Sequence, residues 1–211
     1  LPARAHAQRE VQRHDFDSPE GRLLGYYSAA LAFTSGGPAL GGRPWSVDLG
    51  VEATFVPPLS RAQRQAGSDK PQSSNLAPAF PRPRVSLTFP GRVQAEASWI
   101  PPVRVFDAEA NLISLAVSRP IRDVRGITLV PRLAFTTGSI EGAITCNDEL
   151  TEGGLDQQVY FGAVCQGRES EDHFEPRHYT LEVLGSRMMH DGRIVPYASI
   201  GVRHERTRFD I

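Results

Sequence analysis

The run from Trp45 to Val56 alternates without a break. Trp45, Val47, Leu49, Val51, Ala53 and Phe55 are apolar, and Ser46, Asp48, Gly50, Glu52 and Thr54 lie between them. Period two puts the two sets on opposite faces of one β-strand. Two acids opposite a stripe of Trp, Val, Leu and Phe suit either a solvated sheet face or the polar lumen of a barrel. A helix would scatter both sets around its axis, so this segment commits the chain to sheet.

Further segments repeat the pattern. Val85, Leu87 and Phe89 alternate with Ser86 and Thr88; Val93, Ala95, Ala97 and Trp99 alternate with Gln94, Glu96 and Ser98. Pro90-Gly91 joins the two as an antiparallel hairpin. Residues 111–119 and 126–137 form another, with Ile127, Leu129, Leu133 and Phe135 on one side, Arg132 on the other, and Pro131 marking a bulge or bend. A last hairpin spans 179–188 and 194–205, and its Asp191-Gly192 centre predicts a type I′ turn. An Ala-rich segment at 22–33, with poorer alternation, brings the expected count to eight strands. No long helical period is legible.

Composition narrows what such a sheet is for. Lys+Arg is 23 against Asp+Glu 24, a net charge of −1, so no excess of positive charge exists to displace phosphate counterions and no nucleic-acid partner is expected. Gly 19 and Pro 17 favour many short strands and turns. No apolar run reaches the roughly 18 to 20 residues of a membrane helix, which leaves open a barrel whose strands cross with about 9 to 11 alternating residues.

Connection lengths are one-sided. Short turns fall at 90–91, 120–125 and 190–193, and long connections at 57–83, 101–110 and 145–178. Strand order places all the short turns at one end and all the long loops at the other. A β-sandwich has no need of that asymmetry.

Leu1 to Gln8 reads as the tail of a signal peptide, with Ala5-x-Ala7 as the cleavage pattern. The expected organisation is a signal remnant at 1–7, a polar segment at 8–21 and one barrel domain at 22–211. Cys146 and Cys165 are the two cysteines; in an oxidising compartment a disulfide between them closes a loop of about 20 residues and stabilises it by roughly 3 kcal/mol.

With these segments the chain resembles the bacterial outer-membrane β-barrel proteins, in their small class of about eight to ten strands. The resemblance covers roughly residues 22–205 and rests on the export signal, the alternation, Trp and Tyr near strand ends and long outer loops, with no family motif. It implies an all-β, antiparallel up-and-down barrel in the outer membrane of a diderm bacterium, its apolar stripe against outer-membrane lipid. Loops 57–83 and 145–178 are then the surfaces open to a protein partner. Two features depart from the family: the chain closes on Arg206-Thr207-Arg208-Phe209-Asp210-Ile211 rather than on a terminal aromatic residue, and residues 22–33 start at the long-loop side. The expectation is that the chain is cut short at one or both ends.

Six side chains are expected to face the lumen: Asp48, Glu52, Glu96, Arg132, Glu182 and Arg203. A barrel of about eight strands is just wide enough for side chains to fill it, and charges of both signs pair there because an unpaired buried charge is too costly. A filled, salt-bridged interior is the leading expectation; a narrow channel and a ligand pocket are the alternatives.

Enzymatic chemistry finds little support, and no catalytic residue, cofactor or metal is assigned. Ser199 and His204 are five positions apart and point to opposite faces of a regular strand, and no GxSxG is present. Glu171, Asp172, His173 and His178 are conceivable metal ligands, but a solvated acidic loop is the favoured reading. The competing classes are a soluble secreted barrel with Trp45, Phe55 and Trp99 turned inward around an apolar ligand, and a lipid-modifying barrel enzyme.

Overall fold

The computed structural model describes residues 15, 17–37, 43–55, 79–105, 108–142 and 171–210. Antiparallel sheet dominates it. The strands are β1 (Val47–Phe55), β2 (Ala79–Thr88), β3 (Gln94–Val105), β4 (Ala108–Ser118), β5 (Arg122–Val124), β6 (Ile127–Gly142), β7 (Asp172–Ser186) and β8 (Tyr197–Asp210). They form one sheet in the order β1-β2-β3-β4-β6-β7-β8, with β5 pairing β6 off that path. The expected meander is therefore present, but the sheet is not closed into a barrel.

Residues 22–33 also depart from expectation. The strand expected there is a helix, α1 (Pro19–Ala30), followed by an extended segment. Ser18 caps it, its Oγ accepting from the Gly21 amide at 3.0 Å, and Pro19 opens the first turn where its missing N–H costs nothing. Losing that strand leaves seven on the antiparallel path. An odd number sends β1 and β8 in the same direction, so the two edges cannot pair antiparallel with each other.

Several boundaries also differ from expectation. The connection expected at 101–110 is almost all strand: β3 runs through Pro101-Pro102 to Val105 by way of a bulge between Ile100 and Val103. Residues 79–83 and 172–178, expected in long loops, belong to β2 and β7. Asp191-Gly192 does lie in the last hairpin, but positive φ falls at His190 and Asp191, in a four-residue loop closed by the Met189–Ile194 bridge. A two-residue turn with both φ positive occurs instead at Arg125-Gly126, where Val124 pairs Ile127. The Cys146–Cys165 pair and most of loops 57–83 and 145–178 lie outside the described residues.

The register defines two faces of opposite character, since residues directly opposite one another share a face. One carries Ser86, Glu96, Ser98, Ser114, Ser118, Arg132, Thr136, His178 and Glu182, all buried. The other carries Leu49, Val51, Ile113, Leu115, Leu133, Leu181, Ile200 and Val202, all exposed. A water-soluble sheet does the reverse.

Helix α1 covers part of the buried face. Leu24, Tyr27 and Leu31, spaced for one helical side, pack against Leu112 and Phe174, with Ile100, Ile140 and Phe209 around them. The polar face thus turns apolar near the end where β3, β6 and β8 finish. Burial, with a smaller push from Tyr26, raises the Tyr27 hydroxyl to about 12 and keeps it neutral.

Close packing of β4 and β6 leaves no room at Gly138. Its φ is 150°, and a Cβ there would run into the Asn111 carbonyl oxygen across the strands. Gly138→Ala is expected to lower stability by about 2 kcal/mol, read as a shifted denaturant midpoint; an unchanged midpoint would mean the two strands can separate locally at no cost.

Candidate functional site: a buried charge network and an exposed apolar band

The six residues expected to face a lumen lie on one face of the open sheet. Asp48 lies opposite Ser86, Glu52 opposite Arg82, Glu96 opposite Ser86 and Ala116, Arg132 opposite Ser118 and Glu182, and Arg203 opposite Thr180. Four strands bring Glu52, Glu96, Arg132 and Glu182 together through a residue not foreseen, Arg84. Its guanidinium bonds Glu52 at 2.6 Å and Glu96 at 3.2 Å. Arg132 continues the chain to Glu96 at 2.8 Å and to Glu182. The result crosses β1, β2, β3, β6 and β7 in one line of alternating sign.

Asp48 and Arg203 stand apart from that line. Asp48 is exposed on the edge strand β1. Arg203 reaches Glu205 on its own strand at 3.4 Å and lines a shallow cleft with Phe33, Thr34, Thr180 and Glu182.

The segment after α1 lies across this network. Arg82 donates to the carbonyls of Leu31 and Ala32, both at 3.0 Å; Arg132 donates to Phe33 O at 2.9 Å and Arg84 to Thr34 O at 2.6 Å. Four consecutive carbonyls are thereby held by three guanidinium groups. The Phe33 ring is buried among the same cations, with Arg84, Arg132 and Arg82 carbons 4.3, 4.9 and 5.7 Å from its centroid. These distances fall within cation–π range. Gly36 then passes so close to Arg84 that any Cβ would overlap its guanidinium.

Arg82 escaped the sequence reading because Pro81 and Pro83 flank it, whereas Arg84 opens the strand expected at 84–89 but was not assigned to the lumen. Prolines argued for a loop, yet Arg82, Arg84, Ser86 and Thr88 already alternate. An edge-adjacent strand tolerates proline where no ladder amide is required, and that alternation was the available signal. For α1 the signal was Ser18-Pro19-Glu20, a cap, a first-turn proline and a first-turn acid.

The opposite face is ordered in cross-strand rows. One row reads Val47, Leu87, Ala95, Val117, Leu133, Leu181 and Val202; the next reads Leu49, Val85, Ala97, Leu115, Phe135, Tyr179 and His204. Beyond Trp99 and Ile113 the character changes. Arg104, Glu109, Glu141, His173 and Asp210 form a charged row in register across β3, β4, β6, β7 and β8. His173 contacts Glu141 at 3.2 Å and Glu175 at 3.1 Å within this rim. On the β7–β8 side the charges begin earlier, with Arg177 opposite Arg206.

Catalytic alternatives fare less well against this geometry. Ser199 pairs Leu184 on the polar face and His204 pairs Tyr179 on the apolar one, so the two point apart. Glu171, Asp172, His173 and His178 are not gathered in a loop; Asp172 and His178 lie on the polar face six residues apart and His173 on the other. Among the described residues no group of three His, Cys, Asp or Glu side chains is placed to hold a metal ion.

No family model, curated protein or solved structure matches the chain. Its function is therefore argued from its own residues.

Arg132 is the node of the network and is 1% exposed. Arg132→Ala would strand Glu182 as an uncompensated buried charge and leave Glu96 with Arg84 alone, and an expected loss of about 3–5 kcal/mol follows. Glu52→Gln, at the more exposed edge, is expected to cost less than half of that. Equal effects in equilibrium unfolding would show that the network does not concentrate on Arg132.

Proposed function

We propose that this chain is a non-enzymatic outer-membrane β-barrel protein with a filled polar interior and a structural or surface-interaction role. The carrying observation is the inversion of the sheet: a salt-bridged, buried polar face beneath a helix, backed by an exposed apolar band that ends in a charged row. Lipid is the medium in which such a band lowers the free energy, since exposed apolar area of this extent is costly in water. The charged row at the end of the band fits a headgroup region, where Trp99 and Tyr179 also suit the interface.

A barrel wall in lipid needs both sheet edges paired, because an unsatisfied backbone N–H or C=O in hydrocarbon costs several kcal/mol. β1 and β8 run in the same direction, so an antiparallel closure takes an odd number of further strands between them. One or three such strands would bring the seven of the path to about eight or ten. Side-chain exposure agrees with a missing neighbour: Leu49 at 82% and Ile200 at 81% on the edges exceed Leu115 at 51% and Val183 at 42% inside the sheet.

The reading of a soluble barrel around an apolar ligand requires Trp45, Phe55 and Trp99 to line the interior. All three are exposed and belong to the outer band, while the covered face is polar. That favours the membrane.

Leu133 sits at the centre of the apolar rows. Leu133→Arg is expected to destabilise the membrane-inserted protein by about 2–4 kcal/mol and to lower its yield in the membrane fraction. A chain found in the soluble fraction without detergent, and unharmed by this substitution, would sink the proposal.

A further inference from the structure

We propose that residues 18–37, helix α1 and the strap that follows it, form a withdrawable plug that leaves the polar face as one unit while the sheet stays intact. Withdrawal would uncover a charged groove suited to small hydrophilic solutes. The solute route rests on the barrel reading; the plug itself does not.

The attachments of this segment differ in kind from those within the sheet. Among the described residues, 33–37 make no backbone hydrogen bond to any strand. The strap is held instead by side-chain donors on its carbonyls and by the burial of a single ring, Phe33. Each of these contacts has a substitute once the strap departs. Arg84 keeps Glu52 and Glu96, Arg132 keeps Glu96 and Glu182, and Arg82 faces Glu52 across β1 and β2. Glu52, Glu96 and Glu182 each keep a cation of the sheet. A buried ion pair is expensive to break because one charge is left alone, and none of these three is.

The uncovered face also has reason to take up water. Thr88, Ser98, Ser118, His178 and Ser186 are buried there, and their side-chain polar atoms make no hydrogen bond to protein. Water entering the groove would satisfy them. On the plug side, Ser28 is fully buried with its Oγ in the same condition. Docking therefore gains apolar contact through Leu24, Tyr27, Leu31 and Phe33 and forgoes polar satisfaction on both surfaces. A balance of that kind allows two states.

Helix α1 reports on docking. Its 12 residues are too few to stay helical alone in water, so exchange of its amides tracks undocking rather than local fraying alone. Amide exchange of the full chain in detergent micelles tests the proposal, with Phe33→Ala and Gly36→Val as variants outside the helix. Both substitutions are expected to speed exchange at residues 24–32 at least tenfold and to leave β6 and β7 amides unchanged. Unchanged α1 exchange in both variants would overturn the proposal, as would equal acceleration of α1, β6 and β7. Planar-bilayer current in the same variants separates the two readings: faster α1 exchange with current upholds both, and faster exchange without current upholds the plug and removes the solute route through a barrel.

Discussion

A guanidinium that folds out of contact with water must find acceptors, and Arg132 sets that requirement for the whole polar face. It is buried at the middle of β6, the longest strand, where Glu96 reaches it from β3 and Glu182 from β7. Arg132 also donates to the Phe33 carbonyl. Arg84 repeats the arrangement one step toward the edge. The charges thus tie β1, β2, β3, β6 and β7 together on one face and hold the strap above it. A slip of one residue would turn all of them to the apolar face.

The same alternation that buries the charges exposes the apolar rows. In water this would be a liability for aggregation, since edge strands and flat apolar faces invite pairing. Against lipid it is the expected arrangement, because the hydrocarbon supplies on the outside what a second layer of protein supplies in a sandwich. The sheet and the plug are therefore held by different physics. Ladder hydrogen bonds hold the sheet, whereas cation-to-carbonyl contacts and a small apolar cluster hold α1 and the strap.

Much of the sheet was legible because period two is insensitive to what the strand packs against. Residues 45–56, 84–89, 92–100 and 126–137 alternate on their own, and six charged residues assigned to one face share it. Where the reading failed, a local signal was outweighed or hidden. Pro81, Pro83, Pro101 and Pro102 suggested loops, yet β2 and β3 run through them because a bulge and an edge-side position spare the ladder. At 22–33, alanines and aromatics were compatible with either period; the cap at Ser18 favours the helix.

By itself the sequence determined that strands form, that each has a polar and an apolar side, and that the polar side carries both signs of charge. These follow from side-chain order along a backbone with a fixed pleat. Only the tertiary structure decided that Arg82 and Arg84 join the network, that Phe33 sits among three guanidinium groups, and that β1 and β8, at the two ends of the seven-strand path, run in the same direction. Each of these depends on residues dozens of positions apart meeting in space, which no local period encodes.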